Sequence, residues 1–576
     1  MPRKTLVATC FAVIMGLVVF LTGAALDSAM ETPASGQADS PDAPKLVVLV
    51  VFDQFRGDYP KRWQELYDND GFGRLLTGGA WYQECHYPYA FTLTAAGHAT
   101  LVTGTTPSKH GIIANDWYDR DTGEVGAVQS DRHRLVPRIG DSKKPDGAAP
   151  VHLKRPSVGD GLLKHRSKSK VVSLSIKDRS AILLAALRAT ACYWFNTVRG
   201  LFVTSTYYRD APHGWVAGFN KQKPADKYFG TDWVKLRPDL DYAQYSGPDD
   251  VEGEGPGYKQ GRTFPHPTTG GLEEPGKNFY NAVCNSPYGN ELLLDFAKQA
   301  IEAEQLGQRD ARDLLCLSFS SNDMIGHCWG PDSQEVLDMT LRTDLLVKDL
   351  LAFLDAKVGK GKYLLVVTAD HGVAPLAEVA RAQGKDAGRV SPKVFTSKAS
   401  EHLQSVFAPG LEPLPWLEYA TAEWIYLNHG TLKQLGLPAA KVEDELCQWL
   451  ARQPGVQTAY GRTRLQQGPF KGDPVGEAVR LSYYAEHSGD VAFVLKPNYM
   501  VSGPLTEKKY DAYRATHGSP HSFDTHVPLL VYGPGVRPGV RKERVTPLCV
   551  AAILARALDV PPPEGAEAPV PAGLFK

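Results

Sequence analysis

The sequence predicts an α/β protein with a mostly parallel central sheet, helices on both of its faces, and inserted segments capping one end. Three observations predict it. Short, near-continuous apolar runs rich in β-branched residues recur along the chain, amphipathic helical patterns separate them, and Asp, His and Lys residues follow the runs directly. Strands that read as continuous apolar runs are buried on both faces, and their alternation with helices is the pattern of a parallel sheet. At 576 residues, with 43% hydrophobic and 22% charged residues, the chain has the composition of a large folded protein. Lys and Arg number 63 against 64 Asp and Glu, a net charge of −1. That balance offers no basic footprint, and no nucleic-acid partner is expected.

Taken in order, Arg3 and Lys4 precede an apolar run from Leu6 to Ala25 that ends in small residues. Residues 1–25 are expected to be a signal peptide or an N-terminal anchor, so the protein is expected in the periplasm or outside the cell, released or tethered. Residues 26–44 carry Ser, Pro, Ala and Asp without periodicity and read as a flexible tether. One large domain is expected over 45–560, followed by a short tail at 561–576. Strands are expected at Lys45–Phe52, Lys170–Ile176, Asp313–Phe319, Lys362–Thr368 and Val527–Tyr532. Helices are expected at Asn290–Glu304, Ser333–Val358, Ala440–Gln453 and Pro547–Leu558. Two stretches break the rhythm, one rich in Gly, Pro, Trp and Tyr at about 207–284 and one of mixed pattern at about 378–490. Both read as insertions covering the mouth of a site. Seven cysteines lie beyond the leader, scattered and without C-x-x-C spacing, which argues against a Cys-rich zinc site.

In open α/β sheets a site forms beyond the carboxyl ends of the strands. KLVVLVVF is followed by Asp53, YLLVVTA by Asp370-His371-Gly372, LLCLSFSSN by Asp323 with His327 four residues on, and VVSLSI by Lys177-Asp178-Arg179. Each piece alone has a commonplace alternative. An Asp after a strand caps a helix or forms a turn, and Asp323 with His327 makes an ordinary i,i+4 surface pair. Together, three Asp and two His approach the ligand count of two metal ions with three protein ligands each, and Asp and His are zinc ligands. The sixth ligand is expected among His517, His521 and His526, which precede the run VPLLVYG.

A nucleophile is expected at Thr94, which stands before small residues and an apolar helical run in FTLTAAGHATLVTG. A helix N-terminus favours an anion, although a plain Thr N-cap has the same pattern. A threonine hydroxyl needs a base or a metal to act as a nucleophile. Asn115, in GIIANDWYDR, is a candidate donor to a phosphate oxygen or else a turn residue. His98 and His110 read as structural neighbours.

The ordered set FDQFRGDYP, TLTAAGHATLVTGTTPSKHGIIANDWYD, SIKDR, SNDMIGH, TADHG and THGSPHSFDTHVPLL resembles the alkaline phosphatase superfamily, and within it the exported PafA-like phosphate monoesterases. The resemblance covers about Lys45 to about Tyr532. It implies an alkaline-phosphatase-like core and two zinc ions per chain. Asp53, Asp370 and His371 would hold the zinc that activates Thr94, and Asp323, His327 and His517 the zinc at the leaving group. Asn115, Lys177 and Arg179 would bind the phosphate oxygens of small-molecule monoesters, and a phospho-threonine would form on Thr94. A phosphodiesterase or nucleotide pyrophosphatase of the same superfamily is the alternative. Lys177 and Arg179 argue against it, because added cations favour a dianionic monoester. A sulfatase is disfavoured, since Thr94-Ala95-Ala96-Gly97-His98 lacks the Cys/Ser-x-Pro-x-Arg pattern of that family. A metal-stabilised binding protein with a degenerate site is disfavoured because no expected ligand is missing.

Overall fold

The structure is a computed structural model that describes residues 43–138, 146–501 and 514–576, at 392–394 by backbone alone. The expectations for the leader and for the tether up to residue 42 lie outside the described residues. Ten strands form one sheet: β1 (Leu46–Phe52), β2 (Ala80–His86), β3 (Leu135–Val136), β4 (Val171–Ser175), β5 (Ala191–Asn196), β6 (Leu201–Ser205), β7 (Asp313–Phe319), β8 (Tyr363–Thr368), β9 (His526–Tyr532) and β10 (Gly539–Val545). Their spatial order is β10-β2-β9-β8-β1-β7-β4-β5-β6-β3. The five central strands, β8 to β5, are mutually parallel. Antiparallel pairs flank them at β8–β9, β9–β2, β5–β6 and β6–β3.

Every residue of β1 and of β7 is buried, as expected for strands covered on both faces. Burying one such Val or Leu side chain contributes about 1.5–3 kcal/mol, so this sheet is the stable platform of the molecule. The main helices are α1 (Thr94–Thr103), α2 (Asp178–Ala185), α3 (Pro287–Glu304), α4 (Ser321–Trp329), α5 (Gln334–Leu354) and α6 (Cys549–Leu558). Helices α1, α2 and α6 pack together, and α3, α4 and α5 form a second layer. The register then fixes the site. Val51 pairs with Thr368 and with Ser318, and Ser318 with Ser175, so β1, β7, β4 and β8 all end at one level.

The strands and helices read from sequence stand within a few residues of their expected bounds. The long helix ends at Leu354 and passes into a π-type turn, Asp355–Gly359, before Val358 would have closed it. Strands β2, β3, β5, β6 and β10 were not expected. β10 is an edge strand, GVRKERV, with hardly a buried residue and so no apolar signal.

Residues 207–284 form short helices and irregular chain whose Trp233, Tyr242 and Phe279 are buried in the main core. Residues 378–490 hold most of a four-stranded antiparallel sheet, Leu417–Ala420, Trp424–Leu427, Val456–Gly461 and Val491–Leu495, its last strand lying just past that range. One side of this sheet has its own core around Leu403, Trp416 and Leu446. On the other, Trp424 and Tyr426 join Phe91, Ala95 and Ala99 beside α1. The tail is docked through the buried Leu574, whose carbonyl accepts from Arg537 N–H. Among the described residues no helix is long and apolar enough to cross a membrane.

Candidate functional site

Thr94 is the first residue of α1, and the extended Leu93 before it takes the capping position without a side-chain cap bond. The Thr94 hydroxyl therefore does not cap the helix. It is almost fully buried, and Oγ1 lies 3.3 Å from His371 Nε2. Gly97 allows this approach, because a Cβ there would stand 2.3 Å from the backbone oxygen of Asp370.

Asp53 follows β1 directly, and Asp370-His371 follow β8. All three are fully buried. His371 Nε2 is 3.5 Å from Asp53 Oδ1 and 3.3 Å from Asp370 Oδ2. Those two carboxylate oxygens are buried without a hydrogen-bond donor.

Asp323 and His327 lie one turn apart on α4, with His327 Nε2 3.1 Å from Asp323 Oδ1. His517, in the loop before β9, places Nε2 3.7 Å from the same oxygen and stacks on His371 with ring centroids 3.4 Å apart. His521, in the same loop, and His526, the first residue of β9, point elsewhere. His521 Nε2 donates to the Leu495 carbonyl, and His526 Nε2 donates to the Gln83 carbonyl while its ring stacks on His86. Two sets of donor atoms converge within 4.8 Å: Asp53, Asp370 and His371, and Asp323, His371 and His517. The set around Asp323 thus shares His371, with His327 on its flank.

Lys177 Nζ donates to Asp53 Oδ2 at 2.7 Å and to Asp323 Oδ2 at 2.5 Å, one carboxylate from each side of the site. The resemblance implies a place for Lys177 at the phosphate oxygens; its ammonium lies between these two carboxylates. Arg179 lies in the first turn of α2, its guanidinium 4.0 Å from Asp178. Asn115 Oδ1 accepts from Ala95 N–H at 2.9 Å, which leaves its Nδ2 as the donor for another group.

Two residues beside the ligand candidates were not singled out from sequence for this role. His98, read as a structural neighbour, sits 3.2 Å from Asp370 Oδ2 while Nδ1 donates to the Thr94 carbonyl; its i,i+4 spacing from Thr94 was the available signal. Gln54 carried no signal at all, yet it touches both Asp323 and Asp370.

Burial pushes Asp53 up, reinforced by Asp370, with Lys177 opposing. Burial would also raise Asp323, but His327 and Lys177 outweigh it and hold its carboxyl well below the usual range. Burial lowers His371 and His517, which favours neutral rings. His371 Nδ1 donates to Gly372 O at 2.9 Å, His327 Nδ1 to Ala515 O at 2.6 Å and His517 Nδ1 to Thr92 O at 2.8 Å. In the His371 and His517 rings the Nε2 lone pair then faces carboxylate oxygens, acceptor against acceptor.

Known proteins share this fold and much of this sequence. A family model described as type I phosphodiesterase / nucleotide pyrophosphatase matches residues 47–520. The chain is 32% identical over 545 residues to alkaline phosphatase PhoV of Synechococcus elongatus, covering 92% of this chain and 93% of the relative. It is 32% identical over 526 residues to alkaline phosphatase PafA of Elizabethkingia meningoseptica, covering 91% and 93%. The crystal structure of wild-type PafA matches with a TM-score of 0.85 at 31% identity, over 93% of this chain and 100% of that one. The chain belongs to the type I phosphodiesterase / nucleotide pyrophosphatase family of the alkaline phosphatase superfamily, among the PafA-like alkaline phosphatases.

Proposed function

We propose that this protein is an exported two-zinc phosphatase that hydrolyses small-molecule phosphate monoesters through a phospho-threonine on Thr94. The observation that carries the reading is the convergence of neutral Nε2 atoms and buried carboxylate oxygens beside the Thr94 hydroxyl. Acceptors facing acceptors in a buried site call for cations between them, and the backbone carbonyls behind each ring fix the ligand tautomer. The donor set fits zinc: three carboxylates and three imidazoles, with Asp53 Oδ1 buried without a hydrogen-bond donor and Asp370 Oδ2 approached only by the His98 and His371 rings. Asp53, Asp370 and His371 would hold one ion, and Asp323, His327 and His517 the other, with His371 also within reach of the second. When bound, the two ions supply positive charge to the attacking and leaving oxygens.

The chain's own residues do the rest. Thr94, having given its proton to solvent, attacks phosphorus, and the bond to the leaving alkoxide breaks. The N-terminus of α1 presents backbone N–H groups to the anion. Asn115 Nδ2 meets a phosphate oxygen, its orientation set by the bond from Ala95. Lys177 and Arg179 add charge to the non-bridging oxygens, where charge-assisted bonds are strongest. Water then cleaves the phospho-threonine, returning the Thr94 hydroxyl and inorganic phosphate. Phosphoryl transfer asks mainly for positioning and charge stabilisation, and this arrangement offers both.

The family description also names phosphodiesterases, which keeps diester hydrolysis as the second reading. Acid quenching during turnover of p-nitrophenyl phosphate, followed by peptide mass spectrometry, tests the first. The expected result is one phosphoryl group on the peptide containing Thr94, absent in Thr94→Ala. Full turnover by Thr94→Ala contradicts it.

A further inference from the structure

Gln54 stands out on three independent counts. It directly follows Asp53, yet its φ is +63°, in the left-handed region. Among the described residues seven non-glycine residues have positive φ, and Ala186, Gln305 and Asp559 simply end helices. Gln54 ends none. A turn that puts a buried glutamine in the left-handed region is strained, and such strain persists only where the surroundings enforce it.

The strained conformation does something specific. It aims the Gln54 backbone N–H at Asp370 Oδ1, at 3.1 Å, and the side-chain Nε2 at Asp323 Oδ1, at 2.8 Å. A single residue thus holds one carboxylate from each side of the site. The amide orientation is set by its partner, since the reverse would put Oε1 against Asp323 Oδ1. Oε1 instead lies buried without a donor, against α4 at Gly326, where a Cβ would stand 2.0 Å from it. Gly326 immediately precedes His327. The carboxamide therefore fixes how closely the helix carrying Asp323 and His327 approaches the end of β1.

We propose that Gln54 is a positioning residue that couples the two metal-ligand groups, setting Asp370 through its backbone and Asp323 through its amide. The inference rests on the two-zinc reading above. Gln54→Gly keeps the backbone contact and removes the side chain. Glycine adopts φ near +63° without strain and keeps the backbone N–H to Asp370, but it removes the donor to Asp323. Gln54→Glu is the isosteric second variant and sets carboxylate against carboxylate.

The test is zinc affinity at each of two sites, measured by competition with a chromophoric chelator, alongside the melting temperature of the chelated protein. The expected result for wild type is two zinc ions. For Gln54→Gly it is a folded protein with a cooperative melting transition and a loss of about 10- to 100-fold in affinity at one site, the scale for losing a partner of a metal ligand. Gln54→Glu should lose at least as much. Wild-type affinity at both sites in either folded variant overturns the role of Gln54 and leaves the two-zinc reading intact. A wild-type protein that binds fewer than two zinc ions overturns the two-zinc reading itself.

Discussion

Asp53, Asp370 and His371 stand on the ends of two neighbouring parallel strands, β1 and β8, whereas Asp323, His327 and His517 come from a helix turn and from the loop that leads into β9. The first three are fully buried, while the His327 and His517 side chains retain slight exposure, 9% and 4%. Strand ends inherit the rigidity of the hydrogen-bonded ladder below them. A loop histidine is held by fewer ladder bonds, here the one from Nδ1 to the Thr92 carbonyl and those of its neighbours Ala515 and Thr516 to His327 and Ala374. Sites built on rigid elements hold their geometry better than sites on loops, and loops open at lower free energy than core strands. The two groups should therefore differ in robustness: the strand-borne group is the fixed half, and the group around Asp323 is the adjustable half.

The largest expected effect probes the fixed half. Asp370→Ala or Asp53→Ala should lower kcat/KM for p-nitrophenyl phosphate by about a thousandfold or more, the scale of about 4 kcal/mol of lost charge stabilisation. Asp58→Ala, which removes only an ion pair with Arg56 from a side chain 41% exposed, should cost little. A comparable loss in Asp58→Ala would mean that the strand-end carboxylates have no special role.

The double variant Lys177→Ala, Arg179→Ala reaches across both halves, since Lys177 bridges Asp53 and Asp323. Monoesterase activity should fall at least about a hundredfold, from two charge-assisted bonds of roughly 1.5–3 kcal/mol each. Diesterase activity should fall much less. Steady-state rates on a monoester and a diester give the ratio, and an unchanged ratio in a folded, zinc-replete variant favours the phosphodiesterase reading.

In the adjustable half, His517→Ala should reduce activity roughly 10- to 100-fold, with His521→Ala and His526→Ala milder, because those rings bond to Leu495 and Gln83 instead. Kinetics at saturating zinc check this. A larger loss in His526→Ala would reverse the assignment, and a larger loss in His517→Ala than in Asp370→Ala would invert the comparison of the two halves. The smallest effect is kinetic: stopped-flow chelation should remove zinc in two phases, the faster one accelerated further by His517→Ala.

The platform was legible because β1, β7 and β8 are β-branched or leucine-rich runs whose burial on both faces leaves a continuous apolar signature. The polar residues after them were legible because register brings the ends of these strands to one level. Strand β10 was not, since an exposed edge strand needs no apolar residues, and β2 interrupts its pattern with Gln83 and Glu84. His517 emerged from the sequence only through a family resemblance; three histidines in one loop look alike until the chain path turns His521 and His526 away. Gln54 was illegible for a different reason. A left-handed φ at a residue other than Gly or Asn leaves no mark in composition or spacing, and a buried amide donor between two Asp residues distant in sequence becomes visible only in three dimensions.

Zinc content of the purified protein and of one variant from each half tests the account most directly. Two zinc ions per chain are expected in wild type, with one ion lost in Asp323→Ala and the other in Asp370→Ala, and monoesterase activity falling in both. A wild-type chain that carries one zinc ion or none and still turns over phosphate monoesters at full rate would contradict it.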